Sequence, residues 1–444
     1  MIEENRLKVN KNRLGYHNFV KGASLTFALI IAFWLPSYRW ILSDFIAAWV
    51  LFSLLEFNFK NRFKLNLSNP FSNTLFVLQL ILFLLISVEI VYSDEKTSVL
   101  KNILQKLSLF LFPILYALSG KQFKNKKYLF LKLFVLSNII ISLICLASAT
   151  YHAVSFDENG SLIYKHAIYG YSFYRQSFLS VFHHRSYFSL YLVFSTAIMF
   201  YLKEKHEMFN SVMKKILFWL VIVFFILMIY LLESRAGTIS LVILSAWLIF
   251  QRIFFSDRLF NKIIAIISVI ALIGLLISNK RIKYTINQIE NSENKTETIV
   301  GKNAPERLIL WKSAIQIISD NFWTGIGNEH FHQKFNNIYK KNTGKSEKFV
   351  LNVNYNVHNQ FLEEFVLYGI FGFLLLISLF IYPIIISFKR KNYLFLSFLL
   401  ITGFNFLFES MLNTIAGIVF FAFFFNYFIF VFNEEDKKVI RSDI

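Results

Sequence analysis

Apolar runs of about 20 residues recur along nearly the whole chain, and that repetition limits what the chain can fold into. One such run, wound as a helix, crosses ~30 Å of hydrocarbon. In lipid, only helices and closed barrels satisfy all their backbone polar groups. A length of 444 residues would allow two or three soluble domains. The 56% hydrophobic content overrides that option, because soluble domains lie nearer half. The net charge of +19 does not indicate nucleic acid, since the charges form short clusters between apolar runs. The single cysteine, Cys145, lies within an apolar run, so neither a disulfide framework nor a cysteine metal site is expected.

The pattern predicts an all-α polytopic membrane protein of about twelve spans. They fall roughly at 22–36, 39–58, 71–92, 98–119, 128–149, 185–202, 214–233, 237–254, 261–279, 360–387, 392–409 and 412–432. Twelve spans put both termini on one side. The segments then assigned to the cytoplasm hold 25 of the 46 Lys and Arg, which agrees with the positive-inside rule. Nine spans occupy 1–279, a polar external loop occupies 280–359, three more spans fill 360–432, and a cytoplasmic tail covers 433–444. A second external loop, at about 150–184, is rich in Tyr, Phe and His. Within the large loop, Glu306 to Ser319 has helical periodicity, with an apolar stripe at Leu308, Trp311, Ile315 and Ile318. This predicts an amphipathic helix on the membrane surface or against the bundle, followed by a turn at Asn321 to Gly327.

Candidate chemistry gathers on the external side. His358-Asn359 stands where the large loop re-enters the membrane, with Asn359 placed to cap the next helix and Gly369 and Gly372 deeper on it. Glu233-Ser234-Arg235-Ala236-Gly237 lies at the outer end of the seventh span. An arginine at the edge of hydrocarbon must snorkel, pair or bind an anion. Arg307 opens the amphipathic helix, and Arg185 follows His183-His184 at the start of the sixth span. The adjacent histidines face two ways on a helix and make a poor metal site. The neighbours Glu363 and Glu364 point to different faces, and the other charges gather at helix ends. No glycine-rich phosphate loop and no Cys/His metal spacing occurs, so neither metal nor cofactor is expected. Arginine forks suit phosphate oxygens at any working pH. A histidine can take the proton of an incoming hydroxyl. Together they suit a group transfer in which a diphosphate leaves.

These elements, His358-Asn359 with Gly369-x-x-Gly372, Ser234-Arg235, and Arg307…Trp311…Gly325-x-Gly327, resemble the signature of the bacterial O-antigen ligase/polymerase family over about residues 180–420. The resemblance implies a GT-C-like glycosyltransferase of the inner membrane, acting on the periplasmic face without a metal and with inversion. The donor would be a glycan on undecaprenyl diphosphate. The acceptor would be lipid A-core for a ligase, or another lipid-linked glycan for a polymerase. His358 matches the histidine that activates the acceptor, and Arg235 and Arg307 match arginines that hold the donor diphosphate. Phe373 departs from the small hydroxyl residue found after the second glycine in many ligases, which favours the polymerase branch. A polysaccharide flippase or transporter is the alternative of another class. It would require charges at mid-membrane and paired broken helices. Tyr164, Tyr169, Tyr171 and Tyr174 could stack on sugars or form an interfacial belt.

Overall fold

The computed structural model describes residues 2–37, 39–55, 69–156, 161–164, 172–205, 211–255, 274, 306–343 and 355–432. They are almost entirely helical. The chain runs through α1 (Ile2–Trp34), α2 (Arg39–Leu55), α3 (Pro70–Tyr92), α4 (Lys96–Lys106), α5 (Ser108–Lys124) and α6 (Lys127–Ala153). A two-stranded antiparallel hairpin follows, β1 (Val154–Phe156) with β2 (Leu162–Tyr164). Then come α7 (Gln176–Leu179), α8 (Arg185–Lys205), α9 (Val212–Leu231), α10 (Arg235–Phe255), α11 (Glu306–Asp320) and α12 (Phe331–Thr343). The last helices are α13 (Gln360–Lys389), α14 (Tyr393–Phe406) and α15 (Ile415–Phe430), with a 3-10 turn at Met411–Asn413. Among the described residues, five helical stretches are long and apolar enough to cross a membrane, and five shorter apolar helices accompany them. The span expected at 261–279, much of the loop 280–359 and the tail 433–444 lie outside the described residues.

The core is built around α15. Its sequence is apolar on every side, which only a fully enclosed helix tolerates, and all residues from Ala416 to Phe430 are buried. Phe424 meets Phe134 at 4.8 Å and Phe194 at 4.9 Å, and Phe428 stacks on Phe395 at 4.9 Å. The polar side chains of α15 itself find partners, as burial demands. The amides of Gln79 and Asn426 donate to each other at 3.1 and 2.9 Å, and Tyr427 Oη donates to the Lys127 carbonyl at 2.7 Å. Beside this core, α8 and α10 touch at Gly237, where a Cβ would collide with Ser189.

Helix α13 is broken at Tyr368 and Gly369, where Gly369 has φ +64°. The turn after α11 fills the break. Ile326 N and Gly327 N donate to the carbonyls of Val366 and Leu367 at 2.9 and 3.0 Å, and Ile370 N donates to the Phe322 carbonyl at 2.9 Å. Gly369 was expected to permit close helix packing. What it admits instead is the carbonyl of Trp323, and Gly325 (φ +71°) in turn admits the carbonyl of Leu367. Gly372 packs against Tyr368 and the Glu364 carbonyl of its own helix.

The span expected at 98–119 answers to the apolar stretch Lys96–Ser119, in which α4 and α5 meet at Leu107. The helix expected at Glu306 to Ser319 is present, but its buried face is Leu310, Ser313, Ala314 and Ile317. Leu308 and Ile315 are 44% and 58% exposed. The small pair Ser313 and Ala314 lets α12 and α13 approach. In a membrane protein, an outward apolar stripe carries no penalty, because lipid is as apolar as leucine.

A methyl group at Gly369 would meet both a positive φ and the Trp323 carbonyl. Gly369→Ala is expected to destabilise by roughly 1–3 kcal/mol. Gly22→Ala, with nothing within 4 Å on α1, should be neutral or slightly stabilising. Thermal unfolding of the two variants in the same detergent measures the contrast.

Candidate functional site

The site grows from two loops. At the first, Asn356 Oδ1 accepts from His358 N at 3.1 Å, and His358 has φ +50°, a backbone state that side chains other than glycine seldom adopt. Asn359 then caps α13 as expected, its Oδ1 accepting from Leu362 N at 3.1 Å. The second loop links α14 to α15. There Glu409 N donates back to the Asn405 carbonyl at 2.9 Å, which turns the carboxylate toward the histidine.

Glu409 is the hub. Its Oε2 lies 3.3 Å from His358 Nδ1, and its Oε1 accepts from Arg307 Nη2 at 2.9 Å and from Ser186 Oγ at 3.0 Å. The guanidinium of Arg307 and the hydroxyl of Ser186 compensate this buried carboxylate. A carboxylate oxygen facing Nδ1 favours a proton on that nitrogen, and in the neutral ring that tautomer presents Nε2 as the acceptor. The His358 side chain is 37% exposed, so the ring is not sealed in. Burial pushes the imidazole of His184 down. Glu409 opposes this, while Arg185, His358 and Arg307 add to it.

The other arginines stand around this hub. Arg185 heads α8, immediately before Ser186, and its Nη1 donates to Gln176 Oε1 at 3.0 Å. Gln176 Nε2 donates to Glu233 Oε2 at 2.9 Å, and Arg175 Nη1 reaches Glu233 Oε1 at 2.6 Å. Arg235 heads α10, two residues after Glu233 and two before the Gly237–Ser189 crossing. The structure thus joins His358 and Arg307 directly through Glu409. Arg185 enters through its neighbour Ser186, and Arg235 stands on the adjoining helix end. Gly369 and Gly372 serve the break in α13, away from the hydrogen bonds of the hub.

A cavity of about 860 Å³ opens beside the hub. His184, Tyr187, Asn413 and Thr414 line its polar side, and Ile46, Leu104, Ile415 and Val419 its apolar side. Its mixed lining can accept a molecule with a polar head and an apolar tail. Tyr174 is engaged elsewhere, donating to Thr150 Oγ1 at 3.0 Å, whereas Tyr164 is exposed. Tyr169 and Tyr171 lie outside the described residues.

One charge pair at helix ends is sealed from solvent: Lys106 Nζ, at the end of α4, and Glu364 Oε1, one turn into α13, meet at 3.1 Å with both side chains fully buried. Glu363 and Glu364 do face apart, but both are enclosed, each with its own partners. Among the described residues, no group of three or more His, Cys, Asp or Glu is arranged to hold a metal ion. Sequence reasoning overlooked Glu409. The available signal was its isolation as the sole acid between Glu364 and Glu434, within an apolar stretch where an unpaired charge is costly.

No curated protein matches the chain. Residues 220–377 match the family model described as O-antigen ligase. The matched segment contains Arg235, Arg307, His358, Asn359, Gly369 and Gly372, while Arg185 and Glu409 fall outside it. Over that segment, the chain is similar to the O-antigen ligase family, in agreement with the resemblance carried by its motifs.

Proposed function

We propose that this protein transfers a glycan from undecaprenyl diphosphate to an acceptor hydroxyl on the periplasmic face of the inner membrane, with His358 as the general base. The observation that carries the reading is the Glu409 carboxylate, held between His358 Nδ1 and Arg307. It leaves Nε2 as the free base nitrogen. The acceptor hydroxyl gives its proton to Nε2, and its oxygen attacks the anomeric carbon. The bond from that carbon to the diphosphate oxygen breaks, with inversion. Glu409 then faces two cations, His358⁺ and Arg307, so positive charge grows at the site just as negative charge grows on the leaving diphosphate. Arg235 and Arg185 supply further forks for its oxygens. The cavity lined by His184 and Tyr187 suits the carrier or the acceptor sugar. Lipid A-core is the acceptor in the ligase reading, and a second lipid-linked glycan is the acceptor in the polymerase reading. Phe373 stacks on Phe365 at 4.9 Å, so the residue that departs from the ligase pattern serves packing and does not decide between them.

Purified protein with lipid-linked donor and acceptor tests the reading. His358→Ala should lose about 10²–10⁴-fold in transfer while still inserting and folding. Transfer at the wild-type rate would remove the base. In cells, loss of a ligase strands long glycan on the carrier, whereas loss of a polymerase leaves single repeat units. Arg235→Lys should lose at least about tenfold, because a point charge lacks the bidentate fork. An unchanged rate at low donor concentration would take Arg235 out of the site.

A further inference from the structure

Glu363 has no part in the reaction drawn above, yet it holds both of the loops that make the site. It sits one turn into α13, fully buried. Its Oε2 accepts from Ser410 Oγ and, at 3.4 Å, from Val357 N, while its Oε1 accepts from Asn413 Nδ2. Val357 precedes His358, and Ser410 follows Glu409. One turn earlier on the same helix, Gln360 Oε1 accepts from Leu412 N at 2.7 Å, which adds a second tie to the 409–413 loop.

We propose that Glu363 is a positioning residue that fixes the separation of His358 and Glu409. The inference rests on the reading of His358 as the base. Neither loop is regular at the point that matters, since His358 has a positive φ and Glu409 lies between a helix and a 3-10 turn. Backbone hydrogen bonding within each loop therefore leaves the distance between them open. Three donors from the two loops converge on one side chain, and a carboxylate meets all three because it is acceptor-only. An amide of the same shape would turn a donor toward at least one of them. The tolerance is small. His358 Nδ1 and Glu409 Oε2 are already 3.3 Å apart, and another ~0.5 Å would end the hydrogen bond.

Anchoring α13 to the bundle is the alternative role, and it would show in stability rather than turnover. The full-length protein in lipid nanodiscs, as wild type, Glu363→Gln, Ser410→Ala and the double variant, separates the two. The measurements are kcat, donor KM and melting temperature. Each single variant should lower kcat by about tenfold and leave donor KM within about twofold. The double variant should stay close to Glu363→Gln alone, because both changes cut the same link. Adding Glu363→Gln to Glu409→Gln should cost less than about twofold more, since the pair it positions is then already broken. Losses that multiply and follow the melting temperature would overturn the proposal, as would wild-type kcat in Glu363→Gln. Should Glu363→Gln prove unstable, Ser410→Ala, which removes only a hydroxyl, decides by the same criteria. His358→Ala with full activity would instead fail the base assignment, and that outcome is distinct from normal turnover in Glu363→Gln.

Discussion

The site depends on a single buried carboxylate shared by three parts of the chain. Glu409 holds His358 from the loop before α13, Arg307 from the start of α11, and Ser186 from the start of α8. Those residues are separated by up to 223 positions. A carboxylate in that setting has lost most of its water, and it stays ionised only because cationic and hydroxyl donors replace the solvent. Removing any one donor leaves part of a buried charge uncompensated, so the fold around the site and the electrostatics within it stand or fall together.

The break in α13 is what lets Arg307 reach that carboxylate. The turn after α11 hydrogen-bonds into the backbone opened at Tyr368 and Gly369, which fixes α11 against α13 along its buried face at Leu310, Ala314 and Ile317. Close approach on both sides is possible because Gly325 and Gly369 each present no side chain to the other's carbonyl neighbours. The two glycines thus act as one interlock: Gly325 belongs to the turn and Gly369 to the helix. A motif that reads as a spacing of glycines on a line is here a mating surface between the turn after α11 and the break in α13.

Much of this was legible in the sequence, and the failures have physical causes. Helix positions followed from apolar runs, because a bilayer imposes length and composition on every span. Asn359 followed from capping chemistry and was found doing that work. His358 and Arg307 were expected as base and diphosphate ligand, and the structure links the two through Glu409. Glu409 as the linking anion was not foreseen, because pairing across 102 positions from Arg307 leaves no local pattern. The Lys106–Glu364 pair was hidden for the same reason. The expected stripe of α11 is split, with Trp311 and Ile318 packed against the core and Leu308 and Ile315 exposed, because periodicity reveals that an apolar face exists without saying what covers each part of it. In a soluble protein, the stripe at Leu308 and Ile315 would have marked the core.

The hub sits where two short helices join. A helix of 14 residues, like α14, rises about 21 Å, and one of 16, like α15, about 24 Å. Both are shorter than the ~30 Å of a hydrocarbon core. The backbone that joins them is irregular, and irregular backbone among apolar helices survives only when protein covers it or it lines a cavity. Both conditions are met here. Gln360 and Glu363 on the first turn of α13 take up Leu412 N, Ser410 Oγ and Asn413 Nδ2, while Asn413 and Thr414 open onto the cavity. The break at Gly369 releases this first part of α13 from the line of the rest, so that it can cover the loop. Residues with positive φ then collect around the hub, at Gln176, Glu233 and His358, each held by side-chain or backbone partners that over-determine it. Backbone strain of that kind persists where surrounding contacts outweigh it, and it keeps functional groups in orientations that a relaxed loop would not hold.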